Sequence, residues 1–576
     1  MTRGSRRRVG YPHDMVRPAR CLLIVTLLAG VLAAQGATWV ASTTGAGEQS
    51  DAGAIAPRVS DNGRWLVFAS LGGNLSGLPG TWQVYLKDAL TGSVDLISVT
   101  QTGLPTAVGC TGSRGAPSAA GRFIAFDCAA PDLVPSDTNL VRDVFVRDRI
   151  LTTTRRISIT NNGVEADGAS RLDDISDNAR FVVFTTRATN LSPGEIGVFD
   201  DVYLHDRWIG TTSRVSSTPT GRSGNDTSAD GRASASGRFI VFWSRASDLV
   251  PNDTNGVADV FRFDRSTGQL EIVSVDPNGV QADLPSSAPT ISAEGRHVVF
   301  STLATNLGTG APNGNSQLVR KDMVSGAVSL ITVSRFGAPS NGPTPGPASI
   351  SVDGRHVAFW SLASDLTVDD PDIASDVFIR DLAAARTILV SQSSTGLKGT
   401  PACINPALPC KVPLPVSLSG DARIVAFEHS GDLLVPGGDG NGIATDILVN
   451  DWSRTTRPIG PAQIGQYATL QLRGSLDPGA SYLAGLALGP GPGPLVGARR
   501  VPLADDSLLQ WSLRPGNPAL LGFNGTLDVM GEATASVQIP NVISLVGMDV
   551  WAAFIVHDAW SLVRGASNAV RITIAP

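Results

Sequence analysis

Acidic residues collect in three short loops of this chain. "PSDTNLVRD" (Pro135 to Asp143), "PNDTNGVAD" (Pro251 to Asp259) and "GGDGNGIATD" (Gly437 to Asp446) each concentrate oxygen-bearing side chains. Calcium suits such loops, because it takes roughly six or more hard oxygen ligands in a flexible geometry. Asp253, Asn255 and Asp259 supply part of that shell and are the metal ligands the sequence singles out. Their spacing follows the middle of an EF-hand loop, but Pro251 stands at its first position and Arg262 at its twelfth. The plainer reading is that Asp and Asn shape turns and keep charge in water.

A second set of titratable groups recurs along the chain. Arg64, Arg122, Arg180, Arg238, Arg296, Arg355 and Arg423 are followed at steady intervals by carboxylates such as Asp148, Asp206, Asp264 and Asp381. A catalytic group is needed once, whereas a brace between strands is needed in every copy. These aspartates are therefore expected to cap turns or to pair with the arginines. Of the five histidines after residue 36, His297 and His356 share a slot where Trp65, Phe123, Phe181 and Phe239 stand in other copies, which reads as packing. His205 falls where Lys87 and Arg147 stand in other copies, so it is expected to be exposed. A metal-binding histidine cluster is the alternative, but the sequence brings no three of them together. No Gly-x-Ser-x-Gly elbow occurs. No catalytic residue and no cofactor is assigned.

The elements that carry these residues come from one repeated sentence. Ser-x-x-Gly-Arg, an apolar run, an Asn or Asp before Leu, an acidic loop, and Asp-Val-Phe-x-x-Asp return with steps of 58, 58, 58, 58, 59 and 68 residues between the arginines. Such a fixed period decides architecture before anything else. Each copy has four strand-like pieces: a short one rich in small residues, a run such as "FIVFWS", a piece such as "DVFRFD", and an alternating piece such as "LEIVSV". Continuous Val/Ile/Phe runs suit strands buried on both faces, and alternation suits a half-exposed edge. Gly63, Gly121, Gly237, Gly295 and Gly354 lie between the first two strands, but Ala179 and Ala422 replace them. That turn is thus expected to do without positive φ. The Asn or Asp that closes each second strand (Asn74, Asp132, Asn190, Asp248, Asn306, Asp365, Asp432) is expected to bond the backbone two residues on.

Four antiparallel strands per unit, with no helix between them, indicate a β-propeller blade. The fold class is all-β: a seven-bladed propeller of four-stranded blades at residues 37–460, then a small antiparallel β-sandwich at 461–576. "ATWVASTTGAG" (Ala37 to Gly47) matches a fourth strand with its following loop and puts Gly45 in register with Gly103. This orphan strand is expected to pair with Asp446 to Asp451 and complete blade 7, which removes an exposed sheet edge. The repeat resembles the WD40-like (PD40) repeats of TolB-type β-propellers over residues 37–460. That likeness implies an extracytoplasmic binding scaffold, although some relatives carry fused catalytic domains. In the tail, "GTLDVMGEATASVQIP" through "SNAVRITI" resembles a C-terminal module of secreted bacterial, planctomycete-type proteins.

Export is expected from the N-terminus. Arg17 and Arg20 precede the apolar run Cys21 to Ala34, so residues 1–36 read as a signal peptide, and no later run is long enough to span a membrane. Removing them takes six arginines and Asp14, leaving 39 basic against 50 acidic residues, a net charge of −11. A chain this acidic is a poor ligand for nucleic acid or for anionic membranes. The four remaining cysteines are expected to pair as Cys110–Cys128 and Cys403–Cys410. Cys128 ends a second strand and Cys110 precedes the antiparallel first strand; Cys403 and Cys410 flank an insertion in the sixth step. The expected function is that of a monomeric, non-enzymatic scaffold binding a protein or glycan ligand. A propeller lyase or hydrolase with its site in the central depression is the alternative.

Overall fold

The structure, a computed structural model, describes residues 37–573 except for several loops. Left out are 111–114, 195–197, 309–313, 345, 393–397, 399–415, 431–433, 435–443, 453, 460–466, 475–479, 489–494, 497–498, 501–506, 514–518, 529–531, 539–548, 558–562 and 568–569. The signal-peptide expectation, Asp432 and the Cys403–Cys410 pair lie outside the described residues.

Residues Gly36–Trp452 form one compact unit of seven four-stranded antiparallel sheets, one per repeat. Blade 3 shows the pattern: Ser170–Ile175, Phe181–Thr186, Asp201–Asp206 and Thr211–Arg214 pair in chain order. The second and third strands are the apolar runs, buried on both faces because sheets pack on both sides of them. At their centre an aromatic pair stacks across the two strands in five blades: Phe68–Tyr85, Phe126–Phe145, Phe184–Tyr203, Phe242–Phe261 and Phe359–Phe378. First strands touch the first strands of neighbouring blades, so they line the axis.

Blade 7 is completed from the other end of the chain. Ala37–Val40 pairs antiparallel with Asp446–Asp451, with Ala37 opposite Asp451 and Val40 opposite Leu448. Asn450 Nδ2 donates to Thr38 Oγ1 at 2.7 Å, and Ser42 Oγ donates to Asp446 Oδ1 at 2.7 Å. Arg454–Ile459 does not fill that edge; it pairs with Tyr467–Gly474. The register of the loop beyond the closing strand needs a correction. The bridges Thr43–Gln49 and Val99–Pro105 make Gly47, not Gly45, the counterpart of Gly103. Both glycines have positive φ, 87° and 81°.

The turn between the first two strands also departs from expectation. Ala179 and Ala422 have φ of 57° and 61°, the same left-handed region as Gly63, Gly121 and Gly237. The turn does demand positive φ, because its fourth residue must return the chain to its serine: Ala179 N donates to Ser176 O, as Gly121 N does to Ser118 O, each at 2.8 Å. At four positions a second reason selects glycine. A Cβ on Gly121, Gly237, Gly295 or Gly354 would lie 2.1–2.3 Å from Trp65, Phe181, Phe239 or His297 of the preceding blade.

Among its described residues, the C-terminal unit, Ser453–Pro576, has two larger antiparallel sheets and a two-stranded one, Leu495–Val496 with Arg499–Arg500. The apolar faces of the two larger sheets share one core, with Leu470, Leu472 and Val537 from one sheet and Tyr482, Leu486, Val550 and Phe554 from the other.

Candidate functional site

Three parts of the propeller gather chemistry-bearing side chains: the acidic loops, the axis, and the turns at the opposite end from the loops. In the acidic loops, the first residue of the third strand is a buried aspartate held by a hydroxyl two residues past the end of the fourth strand. Ser158, Ser274 and Ser391 donate to Asp143, Asp259 and Asp376. Asn139 and Asn255 turn their amides onto Asp143 and Asp259 at 2.9 and 2.7 Å.

The blade 7 loop lies outside the described residues up to 443. A further acidic loop, Asp370 to Asp376 of blade 6, joins those of blades 2 and 4, and the three differ in what balances their charge. In blade 2, Arg156 Nη1 lies 3.2 Å from Asp137, 3.3 Å from Asp143 and 2.6 Å from Glu165. In blade 6, Lys398 Nζ touches Asp370 and lies 2.6 Å from Asp372 and 2.7 Å from Asp376. In blade 4 the corresponding positions are Ile272 and Gln281, and no ion pair reaches Asp253 or Asp259 among the described residues. Asp253 Oδ1 is shielded from solvent without a hydrogen-bond partner. Burial and then the charge of Asp259 push Asp253 up to about 6. Burial pushes Asp376 up to about 7; burial also opposes the Lys398 charge, but the three carboxylates outweigh it and hold that ammonium above its usual range. So the structure brings Asp253 and Asp259 together and turns Asn255 onto Asp259, with the Asn255 carbonyl oxygen accepting from Val257 N at 3.2 Å.

The aspartates and asparagines that close the second strands act at long range, which corrects the expectation of a local turn. Asn74, Asn190 and Asn306 accept from Asp51, Asp167 and Asp283, each 23 residues earlier, and donate to Gln49, Glu165 and Gln281. They tie the loop before each blade to the loop inside it.

Around the axis, the first strands of blades 1, 3, 4 and 5 carry β-bulges, with positive φ at Ala56, Asp230 and Ala288. Bulges re-aim backbone and side chains, often beside functional sites. Here the freed amides find carboxylates of the preceding blade: Ala56 N donates to Glu428 at 2.6 Å and Leu172 N to Asp127 at 2.9 Å. Arg58 reaches across from blade 1 to the Asp173 carbonyl at 2.9 Å, where Arg232 also donates. Burial pushes the fully enclosed Asp173 up to about 6 and Glu428 to about 7. At one end, the turn residues are laced by backbone bonds from blade to blade: Ala119 to Asp177, Asp177 to Ala235, Ala235 to Ala293, Val352 to Gly420, and Asp421 to Asp61, at 3.0–3.2 Å. Burial, reinforced by Asp61, pushes Asp177 up to about 8. Sequence reasoning missed this set; the signal was "RLDDI", two acids inside a strand pattern.

At the same end, six of the seven repeat arginines fork onto the aspartate closing the third strand, while Arg423 lies 3.6 Å from Asp421 in its own turn. Arg64–Asp88, Arg122–Asp148, Arg180–Asp206, Arg238–Asp264, Arg296–Asp322 and Arg355–Asp381 approach to 2.6–2.8 Å. Asp148 also caps its turn, accepting from Ile150 N at 3.0 Å. A second guanidinium completes the device. Trp65 lies between Arg64 and Arg149, Phe123 between Arg122 and Arg207, and Phe181 between Arg180 and Arg265, at 4.2–4.9 Å. The later arginine comes from the next blade, so each stack staples two blades. Its signal was available: an arginine follows the closing aspartate in three consecutive copies. His297 and His356 sit in the aromatic slot, and His356 packs on Trp452 at 5.4 Å.

His205 requires correction. It is 4% exposed, and its Nδ1 lies 2.9 Å from Thr212 Oγ1. That side of the third strand faces the preceding blade, where Lys87 and Lys321 likewise reach Thr43 and Val275. Burial pushes both His205 and His429 down to about 4.

Cys110 and Cys128 form a disulfide with a Cα–Cα distance of 4.5 Å. In four other blades hydroxyl pairs span the same strands at 2.9–3.0 Å: Ser170–Thr186, Ser228–Ser244, Ser286–Thr302 and Thr344–Ser361.

No family model and no curated protein matches the chain. Solved structures similar to it include TolB from Acinetobacter baumannii, 14% identical over 58% of this chain and 62% of TolB, with a TM-score of 0.33. The chain thus spans less than two thirds of that protein. An oligogalacturonate lyase in complex with manganese is 11% identical over 75% of this chain and 96% of the lyase, with a TM-score of 0.44. The β-propeller domain of the trilobed protease from Pyrococcus furiosus is 12% identical over 69% of this chain and 93% of that domain, with a TM-score of 0.41. By the arrangement of its own seven four-stranded sheets, the chain is a seven-bladed β-propeller.

Proposed function

We propose that this chain is an exported, non-enzymatic propeller scaffold that binds a protein or glycan ligand. One observation carries the reading: the charged groups along the axis are engaged with one another and with backbone, as Arg58 is with Asp173 and Asp174, and Glu428 with Ala56. A general base or nucleophile must instead reach a substrate. Export is supported by the Cys110–Cys128 bridge in a slot where other blades use hydroxyls, since disulfides persist in oxidising compartments. No helix among the described residues is long and apolar enough to cross a membrane.

The experiment is a protein and glycan pull-down with purified residues 37–576, run beside an assay for polysaccharide cleavage. Saturable capture without turnover supports the scaffold. Catalytic turnover of an oligogalacturonate or another polysaccharide would replace it with the lyase or hydrolase reading. Calcium at Asp253, Asn255 and Asp259 belongs to this proposal as a structural ion, supported by the absence of a tethered cation in blade 4 among the described residues. It requires a calcium-dependent rise in melting temperature that Asp259→Asn abolishes.

A further inference from the structure

The turns between third and fourth strands are not alike around the ring. Blade 4 has Ser266 and Thr267 at its tip and blade 6 has Ala383 and Ala384, as expected for turns in water. Blades 2 and 3 instead expose Ile150 (63%), Leu151 (62%), Trp208 (68%) and Ile209 (65%). An apolar group of this kind on a rim of polar residues marks a contact surface.

The tips are continuous with one another and carry a surplus of positive charge. Arg180 lies 4.7 Å over Trp208, and Arg207, the residue beside Trp208, lies 4.2 Å over Phe123 of blade 2. Arg122, which flanks that ring, forks onto Asp148, whose carboxylate caps the Ile150–Leu151 turn. Two of the carboxylates lie beneath: the Asp148 and Asp206 side chains are each 8% exposed, against 43% and 26% for Arg122 and Arg180, whereas Asp95 beside Arg149 stays exposed. Arg155 is exposed on the neighbouring fourth strand, and its charge and that of Arg122 both bear on Arg207. Five arginines (122, 149, 155, 180, 207) face three carboxylates (Asp95, Asp148, Asp206), an excess of two positive charges on a strongly acidic chain. Asp177 lies nearer the axis and is pushed up to about 8 by burial.

We infer that the tips of blades 2 and 3 dock an acidic polypeptide segment of a partner protein, one that alternates carboxylates with apolar side chains. This rests on the scaffold reading and names its partner class. Carboxylates of the segment meet the guanidiniums of Arg122, Arg155 and Arg207, and its apolar side chains cover Ile150, Leu151, Trp208 and Ile209. Guanidinium forks and an exposed tryptophan are the residue types that dominate binding energy at protein surfaces. Three aliphatic side chains beside the tryptophan favour a peptide over a sugar, whose hydroxyls would lose water against them unpaired.

The test is a random peptide-display selection on immobilised residues 37–576, followed by fluorescence titration of the selected peptides. Enriched peptides should combine Asp or Glu with Phe, Leu or Ile. Trp208→Ser with Ile209→Ser, and separately Arg155→Glu, should each weaken binding about tenfold or more, and salt should weaken it further. Both sites are exposed, so matching melting curves verify the fold. Selected peptides that are basic or uncharged, or that bind both variants as they bind wild type, overturn the docking site while leaving the scaffold reading intact. Selection of no peptide, with oligogalacturonate bound at these tips or cleaved, overturns both the peptide and its face.

Discussion

Gly103 and Gly121 have similar backbones, with φ of 81° and 64°, but different surroundings. A Cβ on Gly103 meets nothing within 4 Å, whereas one on Gly121 lands 2.3 Å from the Trp65 ring. Gly103→Ala should therefore cost only the left-handed strain, about 1 kcal/mol. Gly121→Ala adds overpacking to strain and should cost about 3 kcal/mol or more by urea unfolding. Asp253 supplies a pH test. Its folded pKa of about 6 exceeds that of a free carboxyl, so the folded state holds the extra proton between roughly pH 4 and pH 6 and loses stability as pH rises through that window. Asp253→Asn removes this penalty. In chelator, the variant should exceed wild type by about 1 kcal/mol at pH 7.5, after allowing for solvent screening, and match it near pH 4. Equal stability at both pH values would contradict the burial argument.

At the scale of strands and loops, Lys398 holds a whole acidic loop around one charge. It faces three aspartates, of which Asp370 and Asp376 are almost wholly buried. Lys398→Met leaves them without a counter-charge and should cost about 3 kcal/mol or more. Adding Asp370→Asn and Asp376→Asn should recover most of the loss, because the cost lies in the uncompensated carboxylates rather than in the missing lysine. This also shows what the sequence could disclose. Blade boundaries, the Arg–Asp forks and the Cys110–Cys128 pairing follow from one repeated pattern and antiparallel geometry. The burial of His205 was hidden, because a strand enclosed on both faces shows no alternation to separate inside from outside. The left-handed alanines were hidden because nothing about Ala179 or Ala422 advertises φ. Arg58 and Asp174, which meet across the axis, share a repeat position with Arg232 but also with Ala116, Thr290 and Ser349, so no constant residue type marks that position as charged.

At the scale of the whole ring, the Ala37–Val40 strand is the closure. Deleting residues 37–42 strips the Asp446–Asp451 edge of its partner and removes the Ser42 and Thr38 bonds to Asp446 and Asn450. The melting temperature should fall by several degrees for the propeller as a unit, roughly as expected for a loss of a few kcal/mol in a domain of this size. An unchanged melting curve would mean that closure contributes nothing. The arrangement also sets an order of events. Six blades own all four of their strands and can complete themselves as each repeat leaves the ribosome or the translocation pore. Blade 7 cannot, since Thr38 and Asn450 are 412 residues apart. The earliest strand must wait, unpaired, for the latest one, and until they meet the nascent protein is an open arc with a sticky edge at each end. The interval before closure is when such a molecule is most exposed to proteases and to its own siblings.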